Sequence, residues 1–409
     1  MRYQADSPYA ALRLVVALAL MTIGNAGMYI VVVVLPVVQS EFGVARADAS
    51  LPYTALMIGF GLGGIAMGRL ADRFGVMVPL LIGAVSIGLG FAAAAASGSI
   101  WTFALAHGVL IGLLGCSTVF APLIADTSLW FVRRRGIAVA VCASGNYLAG
   151  AIWPPIVAHF VETSGWRSTY YGLGLFSAAA MLALALLMRR RPPAVAVVEP
   201  GTVSAMASNR PFGMSPGAAQ AWMCVAGLAC CVAMSMPQVH IVALCGDLGY
   251  GATRGAQMLA VMLAFGIVSR LVSGYICDHI GGLRTLLLGS ALQGIALLLF
   301  LPFDGLASLF VISALFGLFQ GGIVPSYAII VREYFSPKEA GARVGTVLMF
   351  TLLGMALGGW MSGKIFDVTG SYTAAFVNGI AWNLLNLAIA IMLLRTARRV
   401  QATRRIAPA

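Results

Sequence analysis

The sequence predicts an all-α membrane protein with twelve transmembrane helices. Hydrophobic residues make up 60% of its 409 positions and charged residues only 9%, whereas soluble domains carry about 25% charged residues. The apolar residues occur in runs of about 20, which is the length of a membrane-spanning helix and twice that of a membrane strand. The 48 glycines also suit helices that pack closely in lipid.

Short charged loops separate the apolar runs and give the order of the predicted spans. The first run, residues 11–35, is too long for a signal-peptide core and has no clear cleavage site, so we interpret it as the first span. The predicted spans cover roughly residues 11–35, 51–70, 77–97, 100–123, 136–160, 168–188, 219–244, 254–277, 284–301, 305–330, 341–365 and 372–394.

A polar segment in the middle of the chain divides the spans into two groups of six. It begins with three arginines and two prolines and continues with alanine, valine, serine and proline, a composition typical of a linker. We therefore predict an N-terminal six-helix bundle in residues 1–188 and a cytoplasmic linker in residues 189–218. A C-terminal six-helix bundle with a basic cytoplasmic tail follows in residues 219–409.

Lysine and arginine are concentrated on one side of the predicted membrane. With the N-terminus inside, the outer loops hold only Arg46, Arg167, Arg254 and Lys364, and the other loop cations lie on the inner side. This asymmetry predicts a multi-pass protein of the inner (plasma) membrane with both termini in the cytoplasm. It also accounts for the net charge of +12, through topology and attraction to anionic lipid, so no nucleic-acid partner is expected.

The seven cysteines lie in or beside apolar spans, without the spacing of metal ligands. We interpret them as small hydrophobic residues and expect no metal and no cofactor. The expected partners are the lipid bilayer, a small organic anion and a proton, and the protein is expected to be monomeric.

One loop motif occurs in both halves. The sequence GRLADRFG starts at Gly68 after the second span, and GYICDHIG starts at Gly274 after the eighth. Glycines let two helices approach closely, and the aspartate can bind a neighbouring helix end or a basic residue. We interpret the motif as a gating latch, the alternative being a static turn with a helix cap. The predicted gating residues are Gly68, Asp72, Arg73, Gly75, Gly274, Asp278 and Gly281.

Arg270 lies in the apolar body of the eighth span. A charge at that depth costs a few to ~10 kcal/mol, and a guanidinium cannot escape the cost by losing its proton. Every acidic residue of the chain falls in a predicted loop or within about a turn of a helix end. We therefore hypothesise that the missing anion is the substrate. The alternative is that Arg270 pairs with backbone carbonyls or with Asp126.

Other candidates for the site are polar or aromatic residues in otherwise apolar helix centres. His240 follows Pro237, which loosens the seventh span, and its spacing to Arg270 allows both to face one cavity. Because histidine titrates near neutral pH, His240 is also the candidate for proton coupling. These polar and aromatic residues could instead have structural roles. Serine and threonine could bond to the backbone of their own helix, Asn25 and Asn146 could bond to a neighbouring helix, and the tyrosines could only pack. The predicted substrate-binding residues are Arg270, His240, Asn25, Tyr29, Phe120, Asn146, Tyr147, Gln320, Tyr327 and Phe350.

A duplicated six-span unit with a cytoplasmic linker resembles the major facilitator superfamily over essentially the whole chain. The run PQVHIV in helix 7, the run SRLVSG in helix 8 and Trp166–Arg167 after helix 5 are similar to the monocarboxylate transporter family. The related oxalate–formate exchangers share much of this pattern. The resemblance implies that a site lies between the halves, that Arg270 binds a substrate carboxylate, and that His240 matches a helix-7 histidine of bacterial lactate transporters. It also implies proton-coupled symport of a small monocarboxylate by alternating access.

The sequence departs from that pattern at positions connected with charge. Animal members have a lysine in helix 1, where residues 30–35 are apolar here, and an aspartate one turn before the helix-8 arginine, where this chain has Gly266. The exchangers have a lysine within helix 11, whereas Lys364 is predicted near the outer end. Two other functions therefore stay open, an anion exchanger or dicarboxylate carrier and an efflux carrier for a larger organic anion. No nucleotide loop, metal cluster or nucleophile–base pair indicates an enzyme.

Overall fold

The computed structural model describes residues 6–132, 135–190, 210–336 and 339–406. Within these ranges twelve helices are long and apolar enough to cross a bilayer, which confirms the predicted number. Most of the predicted linker, residues 191–209, lies outside the described ranges. The spans, numbered α1 to α12, are Pro8–Phe42, Arg46–Phe74, Met77–Ala95, Ile100–Trp130, Gly136–Ser164, Trp166–Leu187, Pro216–Asp247, Ala252–Ile280, Gly282–Leu299, Leu306–Tyr334, Ala340–Thr369 and Tyr372–Val400.

The spans form two six-helix bundles, α1–α6 and α7–α12, in the predicted arrangement. Within the first bundle α3 packs on α6 and α1 on α5, and within the second α7 packs on α11 and α12. The most extensive contacts between the bundles are made by α5 with α8, α2 with α11 and α1 with α7. Because the number of spans is even, both ends of the chain lie at the same end of the molecule, here called the terminal end. The other end is called the opposite end.

Two helices in equivalent positions of the bundles, α4 and α10, are interrupted. In α4 a π-helical segment, Ala106–Leu113, gives way to a short 3₁₀ turn before the helix resumes at Ala121. In α10 the break falls at Gly321 and Gly322. A Cβ on either of these two glycines would collide with α8, with the carbonyl of Gly266 or the side chain of Ser273. The missing side chains therefore let α10 lie directly against the helix that carries Arg270.

A buried ion pair ties the first bundle together near the terminal end. The Nε and Nη2 atoms of Arg13 on α1 each donate to a carboxylate oxygen of Asp126 on α4, both at 2.9 Å. Nη2 also donates to the carbonyl of Met188 at 3.2 Å, and the guanidinium carbon lies 4.8 Å from the ring centre of Trp130. The side chains of Arg13 and Asp126 are only 3% and 7% exposed. Since both carboxylate oxygens are bound to Arg13, the alternative pairing of Asp126 with Arg270 is wrong.

Replacing Asp126 with alanine should destabilise the protein by about 3–5 kcal/mol, because Arg13 would remain buried without its anion. Thermal unfolding of the purified protein in detergent measures this loss. The double variant Arg13→Met with Asp126→Leu should recover most of the stability, since apolar residues of similar size replace the pair. Glu339→Ala is the matched control, because Glu339 is 59% exposed in its pair with Arg343 and should cost less than about 1 kcal/mol. An equal loss in both single variants would contradict the assignment.

Candidate functional site

A cavity of about 330 Å³ lies between the two bundles. Helices α1, α2, α4 and α5 line it from one bundle, and α7, α8, α10 and α11 from the other. Among the described residues that line it, Arg270 of α8 is the one charged side chain, and none is acidic. The interface between the bundles, where the resemblance places a site, therefore contains a cavity with a single cation.

Arg270 has weak partners for a half-buried cation in a membrane span. Its Nη1 donates to the carbonyl of Ala143 on α5 at 3.1 Å, and its guanidinium carbon lies 4.4 Å from the ring centre of Tyr147. Its Nε is buried and has no hydrogen-bond partner within the described residues. A carbonyl and an aromatic face stabilise a cation without neutralising it. The charge of Arg270 is therefore available to an anion that enters the cavity.

Tyr147 and Gly266 fit together beside Arg270. A Cβ built on Gly266 would lie 2.6 Å from Cε1 and 2.7 Å from Cδ1 of the Tyr147 ring, so any side chain there would displace the tyrosine. In this structure the ring of Tyr147 on α5 occupies the space that an aspartate side chain would need at that position, one turn before the arginine.

Two hydrogen-bonding groups of the cavity lie on the same side as Arg270, whereas Ser117, Gln238 and Thr351 reach the wall from α4, α7 and α11. The hydroxyl of Tyr29 on α1 donates to Oδ1 of Asn146 on α5 at 3.4 Å, and Asn146 is the neighbour of Tyr147 in the chain. The rest of the wall is mainly apolar and polarisable. Its large side chains are those of Met28, Met57, Met234, Met349, Met355, Tyr53, Phe60 and Phe120. The cavity therefore has one polar corner around Arg270 and a flexible apolar remainder.

The structure brings half of the predicted binding residues to the cavity. Those that line it are Tyr29, Phe120, Asn146, Tyr147 and Arg270. Four of the others are placed elsewhere. Asn25 is buried at an interruption of α1, Gln320 accepts a hydrogen bond from Gln238 at 2.9 Å, Tyr327 donates to Asn386 at 2.8 Å, and Phe350 packs against the core of the second bundle.

The expectation that His240 faces the cavity together with Arg270 is wrong in this structure. Gln238 lines the cavity, and His240, two residues further on, points about 200° around the helix from it. The imidazole is fully buried. Its Nε2 lies 2.8 Å from the carbonyl of Gly359 and its Nδ1 lies 3.0 Å from the hydroxyl of Tyr372. The position of His240 in the sequence did not show which face of α7 lines the cavity and which face packs against other helices of the second bundle.

His240 belongs instead to a cluster at the opposite end, here called the latch and made of Arg46, Asp247, Asp367, Tyr372 and His240. Arg46, at the start of α2, is the only member from the first bundle. Its guanidinium donates to both carboxylate oxygens of Asp247, at 3.0 and 3.1 Å, and to the hydroxyl of Tyr372 at 2.7 Å. Sequence analysis had placed Arg46 in a loop, so this role was missed.

Asp367 completes the latch through backbone groups. Its two carboxylate oxygens accept hydrogen bonds from the backbone N–H groups of Arg46 and Ala47, both at 2.8 Å. A carboxylate from the end of α11 thus caps the first turn of α2 in the other bundle, where orphan N–H groups and the helix dipole favour an anion. The latch therefore holds the two bundles together at the opposite end.

The predicted gating motif lies at the terminal end, where the structure shows no comparable closure. The side chains of Asp72, Arg73 and Asp278 are exposed. Gly75 and Gly281 end α2 and α8 with φ values of +87° and +82°, which require glycine. Among the described residues, the cross-bundle hydrogen bonds are made by the latch, by the pairs Thr54–Ala356 and Thr253–Glu162, and by Arg270. That this motif closes the terminal end in another conformation of the protein stays a prediction.

Comparison with known proteins decides the family. The model of the major facilitator superfamily matches residues 16–308 and 283–408. This chain belongs to the major facilitator superfamily. It is accordingly a membrane transporter and not an enzyme.

Curated relatives of this transporter are similar over most of its length. Monocarboxylate transporter 13 of Bos taurus is 28% identical over 338 residues, which cover 79% of this chain and 75% of the relative. The agnestins efflux protein AgnL12 of Paecilomyces divaricatus is 22% identical over 335 residues, covering 80% and 74%. These matches confirm the resemblance to monocarboxylate transporters.

A solved structure shows the same fold. It is that of a bacterial homologue of the human lysosomal transporter Spinster in an inward-facing and occupied conformation. The two share 16% of residues with a TM-score of 0.67, over 99% of this chain and 100% of the other.

If the terminal-end motif is a latch in the other conformation of this transporter, Asp72→Asn should slow transport with little change in substrate affinity. The reason is that a latch changes the equilibrium between conformations and not the contacts of the binding site. Uptake into proteoliposomes and equilibrium binding would be measured on the same preparation. Asp304→Asn, in an exposed loop at the opposite end, is a control for loss of an acidic residue. Unchanged turnover in Asp72→Asn would remove the latch interpretation.

Proposed function

We propose that this transporter carries a small organic monocarboxylate, bound through Arg270, by alternating access and together with a proton. The observation that carries the proposal concerns the surroundings of Arg270. It is a cation in the wall of the inter-bundle cavity, and none of the described residues that line the cavity carries a carboxylate. The polar corner formed with Tyr29, Asn146 and Tyr147 supplies neutral groups next to that charge.

A carboxylate suits this site because its geometry matches that of a guanidinium. Two parallel N–H···O bonds can form between the groups, and each is stronger than a neutral hydrogen bond, especially in a site of low dielectric. The unpartnered Nε of Arg270 is one available donor. Arrival of the anion relieves the cost of an uncompensated cation, and a gain of that kind can favour closure around the substrate.

The charges of the wall favour a monoanion over other organic acids. Arg270 is the one cation among the residues that line the cavity, so a second carboxylate would find no partner. The same wall has no acidic residue to bind the ammonium group of an amino acid. Lys364 is exposed near the opposite end and does not line the cavity, which argues against a dicarboxylate exchanger.

Efflux of a larger organic anion is the second candidate. Its support comes from the five methionines and the aromatic side chains of the wall, which adapt to bulky apolar bodies, and from the relative that is named an efflux protein. Both candidates use Arg270 in the same way and differ in the size of the substrate and the direction of its movement.

The proposed setting follows from the distribution of charge. We place the transporter in the plasma membrane as a monomer with the terminal end in the cytoplasm, since lysine and arginine are concentrated there. The latch then closes the outer side and the described conformation faces inward. Alternating access requires a second conformation, in which the latch is broken and the terminal end is closed.

Arg270→Ala should weaken monocarboxylate binding about 10- to 100-fold, and Arg270→Lys should be almost as damaging, because lysine keeps the charge but loses the two-pronged geometry. Binding and proteoliposome uptake would be measured at matched protein amounts. Arg254→Ala is the control, since Arg254 is exposed on the same helix and donates to Gln257. Near-native affinity in Arg270→Ala would overturn the assignment of the anchor.

A panel of labelled acids would separate the candidate functions. Lactate, phenylacetate, succinate and phenylalanine would be offered to proteoliposomes with and without an imposed pH gradient. We expect uptake of one or both monocarboxylates, accelerated by an acidic exterior, and little uptake of succinate or phenylalanine. Uptake that needs an internal counter-anion and ignores the pH gradient would indicate exchange. Preference for phenylacetate over lactate would favour the larger substrate.

A further inference from the structure

We propose that His240 is a proton-binding site that controls the latch, so that the latch assembles around a neutral imidazole and protonation favours its opening. His240 is separated from the cavity, and its contacts are with groups that join the bundles. The inference concerns the equilibrium between conformations, and it holds for any anion that the cavity binds.

The hydrogen bonds of the latch determine which imidazole nitrogen carries the proton. The carbonyl of Gly359 can only accept, so Nε2, at 2.8 Å, must be the donor. The hydroxyl oxygen of Tyr372 accepts from Nη1 of Arg46 at 2.7 Å and lies 3.0 Å from Nδ1 of His240. Its own hydrogen is then free to be donated to Nδ1. The contacts thus form one directed chain from Arg46 through Tyr372 and His240 to Gly359, and the chain requires a neutral histidine.

A proton on Nδ1 would disrupt this chain. The nitrogen would change from acceptor to donor, and the Tyr372 hydroxyl would lose the group to which it donates. The new imidazolium would also be fully buried, with the guanidinium of Arg46 on the far side of the same phenol oxygen. Burying a second cation there costs free energy through the loss of hydration, and the bond to the Gly359 carbonyl offsets this cost only in part.

The other charged groups around His240 explain why opening would favour protonation. Arg46 comes from α2, whereas Asp247, Asp367 and Tyr372 come from α7, α11 and α12 of the bundle that also carries His240. When the bundles separate at this end, Arg46 leaves with its own bundle, and both carboxylates stay near the imidazole as water enters. Removal of a cation, retention of two anions and hydration all favour the imidazolium.

Protonation and opening therefore favour each other by linkage. An acidic medium at the opposite end would increase the population in which the cavity is open to that medium. With one linked proton, the ratio of open to closed protein can rise by up to about tenfold for each unit of decrease in pH. This gives the transporter a response to pH that does not require a titrating group in the cavity.

The test measures the separation of the bundles without substrate. Gly98→Cys and Asp304→Cys place labels on exposed loops of the two bundles at the opposite end. The seven native cysteines are buried, so the labels attach selectively. Distances between spin labels would be recorded in lipid nanodiscs between pH 8 and pH 5.5. We expect the long-distance population to grow several-fold as the pH falls.

Variants assign the effect to His240. His240→Gln cannot bind the proton, so its distance distribution should be independent of pH. His159→Gln replaces an exposed histidine near the same end, and its distance distribution should change with pH as that of the native protein does. Tyr372→Phe removes the hydroxyl that neutral His240 accepts from, so its open population at pH 8 should be larger and its pH response smaller.

Two outcomes would overturn the proposal. One is a native distance distribution that does not change with pH, and the other is a full pH response in His240→Gln. If His240→Gln does not fold, as judged by size-exclusion chromatography, Tyr372→Phe decides, and an unaltered pH response in that variant also overturns the proposal. Because no substrate is present, failure here leaves the role of Arg270 untouched. Failure of Arg270→Ala to weaken binding would in turn leave the latch untouched.

Discussion

The arrangement of this transporter depends on a guanidinium that is held between two bundles without an anion of its own. Three carboxylates near the ends of the spans are bound to other groups. Asp126 is paired with Arg13 inside the first bundle, and Asp247 and Asp367 bind the start of α2 at the opposite end. Ion pairing is therefore satisfied at the periphery, while the partners of Arg270 among the described residues are the uncharged carbonyl of Ala143 and the side chain of Tyr147. The charge that the protein does not neutralise is the one that a ligand can neutralise.

Small residues and aromatic rings place this charge. Glycines at 266, 317 and 321 remove side chains where α8 meets α5 and α10, and the space at Gly266 is filled by the ring of Tyr147, beneath the Arg270 guanidinium. In lipid, helices gain little by hiding apolar surface from each other, so close backbone contact of this kind is a main source of their association. The same contacts that stabilise the interface between the bundles thus orient the arginine.

Sequence analysis was informative where the bilayer itself imposes the pattern. Span length, the duplicated motif and the cost of a membrane-embedded arginine predicted twelve helices, two bundles and the candidate anchor. It was less informative where the role of a residue depends on the direction in which its side chain points. His240 and Gln238 lie two residues apart on α7, yet one joins the latch and the other the cavity. The methionines of the wall could not be recognised, because in an apolar run they look like core residues, and Arg13 and Arg46 look like loop cations until tertiary contacts bury them.

Two of the buried or half-buried ion pairs illustrate how one protein can combine rigidity with motion. Arg13 and Asp126 are 3% and 7% exposed and lie within one bundle, so breaking them would leave charges in a dry interior. Arg46 and Asp247 connect different bundles, and Asp247 is 38% exposed, so water can replace each partner as the contact opens. A pair of the first kind keeps a bundle intact as a rigid body. A pair of the second kind can break and form again in every cycle, which is what alternating access demands of a contact between bundles.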